Sequence, residues 1–292
     1  MPDRISLVTG SSRGLGAATA LQLARRGDNV IVTYRSNKDE GEAVAEQIRE
    51  LGCKAWVTQL DLEDEASIDA AFEYARNEAG GLDVLVMNAA ATSFRPLLDA
   101  ERRHIERTFA ISVTGFLQAV QLAVPLMEQR GGGRIVAISG ADTESWIPAH
   151  GLLGAAKAAM ENMVKYLGCE IAERGVTIVG VRPGWIDGDS LQMMLGPFYD
   201  VAVETEKRTH PLRSTASPDD IGEVVAMLTG DDARWLNGTT VSADGDGLFA
   251  FCGRYASVGA ELAMVKQSAK EAATGDAPGG LDTDGAPSVP KM

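Results

Sequence analysis

Short apolar runs alternate along this chain with longer stretches of helical period. Runs rich in Val, Ile and Leu at 5–9, 29–34, 55–60, 82–88, 134–139, 176–181 and 239–242 predict strands. Apolar residues recur every three or four positions after the first run to about 26, and over 39–51, 65–79, 100–129, 151–174 and 218–228, which predicts helices. Strand and helix taking turns in this way call for an α/β fold, a single doubly wound parallel sheet with helices on both faces. A further helix is predicted over 248–270. From 274 onward prolines and glycines carry no apolar period, so the sequence predicts one domain over 1–272 and a disordered tail over 273–292.

Composition narrows the functions open to such a fold. The 292 residues are 45% hydrophobic and 23% charged, which suits a globular chain with a sizeable core. No run of about eighteen apolar residues is visible, so no membrane span is expected. Aspartate plus glutamate is 41 against 27 lysine plus arginine, a net charge of −14. A surface that acidic repels phosphate backbones and anionic lipids, which argues against nucleic-acid and membrane partners. It leaves room for a local basic pocket. Cys53, Cys169 and Cys252 are an odd number without metal-ligand spacing, which suits a reducing compartment. Met1 to Asp3 lead straight into the first apolar run, with no signal-peptide pattern. A cytoplasmic protein is expected.

The first strand and helix are joined by Thr9-Gly10-Ser11-Ser12-Arg13-Gly14-Leu15-Gly16. Glycines here allow a tight turn and close approach of backbone to a pyrophosphate, and the helix N-terminus adds amide donors and a favourable dipole. In this setting the turn predicts a Rossmann-type dinucleotide site. The second strand ends in Tyr34-Arg35-Ser36, where an acidic residue would bind a free ribose 2′-hydroxyl. None is present. Arg35 and Ser36, with Arg13, suit a 2′-phosphate and favour NADP over NAD, unless both arginines are only solvated surface charges. Asp61 and Leu62 close the third strand where an adenine would lie, and Asn88, Ala89 and Ala90 close the fourth beside the ribose.

Together these residues resemble the short-chain dehydrogenase/reductase family over roughly 5–247. The same resemblance takes in Lys157, the turn Pro183-Gly184 with Ile186 after it, Pro218-Asp219-Asp220-Ile221 and Asp244-Gly245-Asp246-Gly247. It implies that Pro183, Gly184 and Ile186 face the cofactor, that Lys157 holds the nicotinamide ribose, and that the chain forms a homo-oligomer, a dimer or tetramer. The family's usual acid/base is a tyrosine four residues before the lysine; here that place is Leu153. A divergent branch of enoyl-thioester reductases sets the tyrosine seven residues before, and here that place is His150. Glu161 and the run Asn88-Ala89-Ala90-Ala91 also resemble this branch, which includes reductases of coenzyme A thioesters in secondary metabolism. Ser139 stands eighteen residues before Lys157, and Gly140 holds the serine's usual place at seventeen. Ser112 replaces a common helix asparagine, and Gly188 a threonine.

Three catalytic candidates follow: Lys157, His150 and Ser139. Positions seven apart lie on nearly one helix face, so His150 and Lys157 line one cleft if the helix has begun by His150. An imidazole then supplies the missing donor; otherwise His150 only precedes the helix and fills space. Trp146 reads as a pocket wall, and His104 and His210 as surface residues. Met193, Met194, Leu195, Pro197, Phe198 and Tyr199 read either as a lid over a hydrophobic acyl or polyketide-like substrate or as an apolar helix packed on the body. The expected function is NADPH-dependent reduction of an α,β-unsaturated thioester or related carbonyl compound. Two alternatives stand beside it: a ketoreductase with substrate- or water-assisted protonation, and a non-redox NADP-bound cyclase, isomerase or scaffold.

Overall fold

The computed structural model describes residues 3–91 and 93–245. Seven strands form one sheet: β1 (Ile5–Val8), β2 (Asn29–Tyr34), β3 (Ala55–Gln59), β4 (Val84–Met87), β5 (Gly133–Ile138), β6 (Val176–Pro183) and β7 (Thr240–Ala243). All are parallel, in the order β3-β2-β1-β4-β5-β6-β7. The strands read as unbroken apolar runs because both faces of a parallel sheet are covered. Successive side chains point to opposite faces. Leu7, Ile31, Leu85, Ile135 and Ile178 supply one core layer, and Val8, Val32, Val86, Val136 and Val181 the other.

The first layer is closed by α3 (Glu65–Tyr74), α5 (Gly115–Gln129) and α6 (Gly151–Glu170), through Phe72, Phe116, Val120 and Val164. The second is closed by α1 (Gly14–Arg25), α2 (Lys38–Glu50) and α9 (Pro218–Leu228), through Leu23, Ile48, Ile221 and Val225. The helix predicted over 100–129 starts later, as α4 (Arg102–Phe109), and runs through a π turn at Ala110–Thr114 into α5. The π turn sets Gly115 against the chain after β3: a Cβ there would lie 2.5 Å from the Leu62 carbonyl oxygen. The 28 residues Arg102–Gln129 are long and apolar enough to cross a membrane by composition, with a mean hydropathy of 1.6 in the richest stretch. Half of that stretch is buried in the fold, and α5 carries the core residues already named, so the sheet accounts for its apolar face.

Two helices had no counterpart in the strand-and-helix pattern: α7 (Asp189–Leu195) and α8 (Tyr199–Thr209). His210, expected at the surface, is 7% exposed. Its Nε2 lies 2.9 Å from the Asp244 carbonyl oxygen and its Nδ1 accepts from the Leu212 amide, so its ring ties the end of α8 to the chain after β7. His104 is half-buried and accepts from the Glu101 amide at the start of α4. The predicted helix over 248–270, the tail, Cys252, Asp246 and Gly247 lie outside the described residues.

Candidate active site

Strand order reverses direction between β1 and β4, and in open parallel sheets ligands bind in the crevice at such a point. Gly10 and Gly14 take positive φ values of 65° and 56° in the turn after β1. A Cβ on Gly16 would stand 2.3 Å from the Gly10 carbonyl oxygen, so only glycine lets α1 come this close to the turn. Arg13 precedes α1 without capping it, which leaves its first amides open to a ligand. Across the crevice the Asn88 and Ala89 amides both donate to Thr9 Oγ1 at 2.9 Å, and Asn88 Nδ2 donates to the Thr9 carbonyl oxygen at 2.9 Å. These bonds lock the end of β4 to the end of β1. The open amides and the cradle that a Cβ would fill fit a dinucleotide pyrophosphate.

The other cofactor candidates lie in this turn and at the ends of β2, β3, β4 and β6. Ser12 is half-buried and Arg13 exposed; Leu15 is half-buried on the inner side of α1. Arg35 and Ser36 are exposed past β2, with Arg35 Nη1 only 3.9 Å from Glu63, whose carboxylate also pairs with Arg107 at 3.1 Å. Asp61 accepts from the Glu63 amide, and Leu62 is buried in the core beneath. Ala90 is exposed beyond Ala89. Pro183 ends β6, Gly184 follows it, and Ile186 bridges in parallel to Ala216.

Lys157 sits in the second turn of α6, 4% exposed, and its Nζ donates to the Ile138 carbonyl oxygen at 2.5 Å. Burial pushes its ammonium down from 10.5 to about 8, against the opposing pull of the Asp142 and Glu161 carboxylates. His150 is the residue just before α6, and its carbonyl accepts the Gly154 amide at 2.8 Å, so it belongs to the first turn. His150 Nδ1 lies 3.0 Å from the Pro148 carbonyl oxygen. A carbonyl only accepts, so Nδ1 carries the proton and Nε2 is the nitrogen left to exchange one. Phe94 packs on the imidazole with ring centroids 4.7 Å apart. Leu153, at the usual tyrosine place, is half-buried and has no exchangeable proton.

Ser139 is buried and donates to Glu161 Oε1 at 2.5 Å. Glu161 is the centre of a polar cluster that sequence reading did not find. Arg182, at the end of β6, reaches Glu161 Oε2 at 2.7 Å and Glu144 at 3.0 Å. Arg182 Nε donates to Thr143 Oγ1 at 2.9 Å, which itself lies 2.9 Å from Glu161 Oε1. The cluster fixes the chain after β5 to α6 and β6. Its members are distant in sequence, so no local pattern announces it. On the far side Tyr199, at the head of α8, donates to the Asp187 carboxylate, which pushes the phenol up. Trp146 is 82% exposed, and Leu97 packs over Gly151 beside His150.

The strand order and the glycine cradle at its switch point place this chain among the dinucleotide-binding oxidoreductase folds. The comparison with known proteins narrows the class. A family profile described as "Enoyl-(Acyl carrier protein) reductase" matches residues 10–247, and the chain belongs to the short-chain dehydrogenase/reductase family. It is 35% identical over 246 residues to the 1-cyclohexenylcarbonyl-CoA reductase of Streptomyces collinus, covering 83% of this chain and 86% of that protein. Among solved structures it is similar to a 7α-hydroxysteroid dehydrogenase complexed with NADH and 7-oxo glycochenodeoxycholic acid. That match has a TM-score of 0.79 and 26% identity, over 84% of this chain and 94% of the other. It is also similar to the promiscuous reductase LugOII, which catalyses keto-reduction at C1 during lugdunomycin biosynthesis. Here the TM-score is 0.76 and the identity 30%, over 84% and 98% of the two chains.

Proposed function

We propose that this protein is an NADPH-dependent reductase of α,β-unsaturated acyl thioesters. The observation that carries the reading is the pairing of His150 with Lys157 on the first turns of α6 while Leu153 stands at the tyrosine place. Reduction of a ketone makes an alkoxide that takes a proton directly, so it suffers most from losing the tyrosine. Reduction of an enoyl thioester makes an enolate, whose oxygen needs a hydrogen-bond donor and whose α-carbon can be protonated by water. The coenzyme A reductase of Streptomyces collinus supports the same reading.

When bound, NADPH supplies the hydride. The glycine cradle holds the pyrophosphate, and Arg13, Arg35 and Ser36 hold the 2′-phosphate. Asp61 and Leu62 flank the adenine, and Asn88, Ala89 and Ala90 line the ribose. Pro183, Gly184 and Ile186 back the nicotinamide. Lys157 donates to the nicotinamide ribose and adds positive field. With both ring nitrogens protonated, His150 keeps Nδ1 on the Pro148 carbonyl oxygen and donates from Nε2 to the thioester oxygen as charge develops there. Ser139, engaged with Glu161, positions the chain after β5. Exposed Phe94 and Leu97 beside His150 suit an apolar acyl group or ring. The protein is a cytoplasmic homo-oligomer in this reading, a dimer or tetramer, supported by the free thiols of Cys53 and Cys169 and by exposed Ile105 and Tyr166 on α4 and α6.

The test is NADPH oxidation with enoyl-coenzyme A and 3-oxoacyl-coenzyme A thioesters. Turnover of the enoyl series, reduced at least about tenfold in His150→Phe, is expected. NADPH binding without oxidation across both series would instead indicate the non-redox scaffold or cyclase.

A further inference from the structure

Gly140 leaves a space at the end of β5 where the family keeps a serine, and another residue fills it. A Cβ on Gly140 would lie 2.5 Å from Asp142 Oδ1, and a Cβ on Gly154 would lie 2.4 Å from the Asp142 carbonyl oxygen. Two glycines, one on each side, therefore make the seat of Asp142. Gly154 is one helical turn before Lys157 on the same face of α6. Both Asp142 carboxyl oxygens are buried, and neither finds a hydrogen-bond partner in another residue. A buried carboxylate without a partner is costly unless charge elsewhere balances it.

We propose that Asp142 is a positioning residue of the active site, the counter-charge that keeps buried Lys157 an ammonium and faces the proton-bearing His150. The charged groups around Lys157 are few. Asp142 faces it from the turn after β5. Glu161 faces it from the next turn of α6, but that carboxylate is spent on Arg182, Ser139 and Thr143. Arg182 is also paired with Glu144. His150 stands at the head of α6, and its charge, like that of Lys157, draws on the Asp142 carboxyl. Burial raises Asp142 while those two cations pull it down, and Asp142 is the larger of the two carboxylates that hold Lys157 up.

This inference rests on the reductase reading, because the charge of Lys157 is read out through the cofactor. The experiment titrates NADPH into wild type, Asp142→Asn and Asp142→Ser by nucleotide fluorescence across pH, with thermal melts to check that each variant is folded. Wild-type affinity is expected to fall as pH rises through about 8. In both variants the midpoint of that fall is expected about one pH unit lower. A folded variant whose midpoint matches wild type overturns the role of Asp142 and leaves the reductase reading standing. A wild type that binds no NADPH at any pH overturns the reductase reading and this inference with it.

Discussion

Lys157 is an ammonium held where water is scarce, and its chemistry and its stability pull in opposite directions with pH. In the proposed function cofactor binding uses the charged form, which is lost above about 8. Folding sees the reverse. Between about 8 and 10.5 the folded protein has released a proton that the unfolded chain still holds, so the contribution of this lysine to stability rises with pH over that window. Urea unfolding of wild type and Lys157→Met should therefore diverge there, with wild type gaining on the variant as pH increases. A constant difference would mean that the lysine is not buried as described. Glu161 makes a second prediction at this scale. Glu161→Gln leaves Arg182 buried without its main anion, and a broken buried pair costs about 3 kcal/mol. Denaturant midpoints check this, and a loss under about 1 kcal/mol would assign the pairing to the surface class. Of these residues, Lys157 and His150 were singled out by the family resemblance. Arg182, Thr143 and Asp142 were not, because their roles depend on contacts between β5, β6 and α6 that no periodicity encodes.

At the scale of elements, the turn between β1 and α1 carries the most weight. Gly16→Ala places a methyl against the Gly10 carbonyl oxygen, which must push α1 out of the crevice. NADPH affinity should fall at least about tenfold, or about 1.4 kcal/mol, measured by calorimetry with far-UV circular dichroism as the control for helix content. Unchanged affinity would remove the cradle from the binding site. The seven strands were readable because a sheet covered on both faces needs apolar runs, and the loops between them carry glycine or polar punctuation. The single helix expected over 100–129 hid a π turn, whose cause is close packing of Gly115 on the backbone at Leu62. Helix α7 falls in the segment read as either a lid or an apolar helix, and α8 escaped because its apolar residues are few. His210 was misplaced because its burial comes from the chain after β7, a contact thirty-four residues away in sequence.

For the whole molecule, charge is the informative quantity. A net charge of −14 repels anions in general, yet Arg13 and Arg35 stand at the β2 end of the crevice with exposed side chains. Among the described residues the Arg35 guanidinium has one ion pair, a 3.9 Å contact to a carboxylate shared with Arg107, which supports its proposed role at the phosphate. Arg35→Asp should lower NADPH affinity at least about tenfold and leave NADH affinity nearly unchanged, as compared by fluorescence titration. Equal losses for both cofactors would contradict the 2′-phosphate assignment. The fold class was legible from the alternation of strand and helix; the choice of bond to be reduced was not, since it turns on the few atoms around His150. That choice is settled by one measurement: a single turnover with NADPH deuterated at the transferring position and a 2-enoyl-coenzyme A thioester, read by mass spectrometry and NMR of the product. Deuterium on the β-carbon of a saturated acyl chain is the predicted result. An unreacted alkene, with deuterium appearing on a carbinol carbon when a 3-oxoacyl thioester is offered instead, would contradict it.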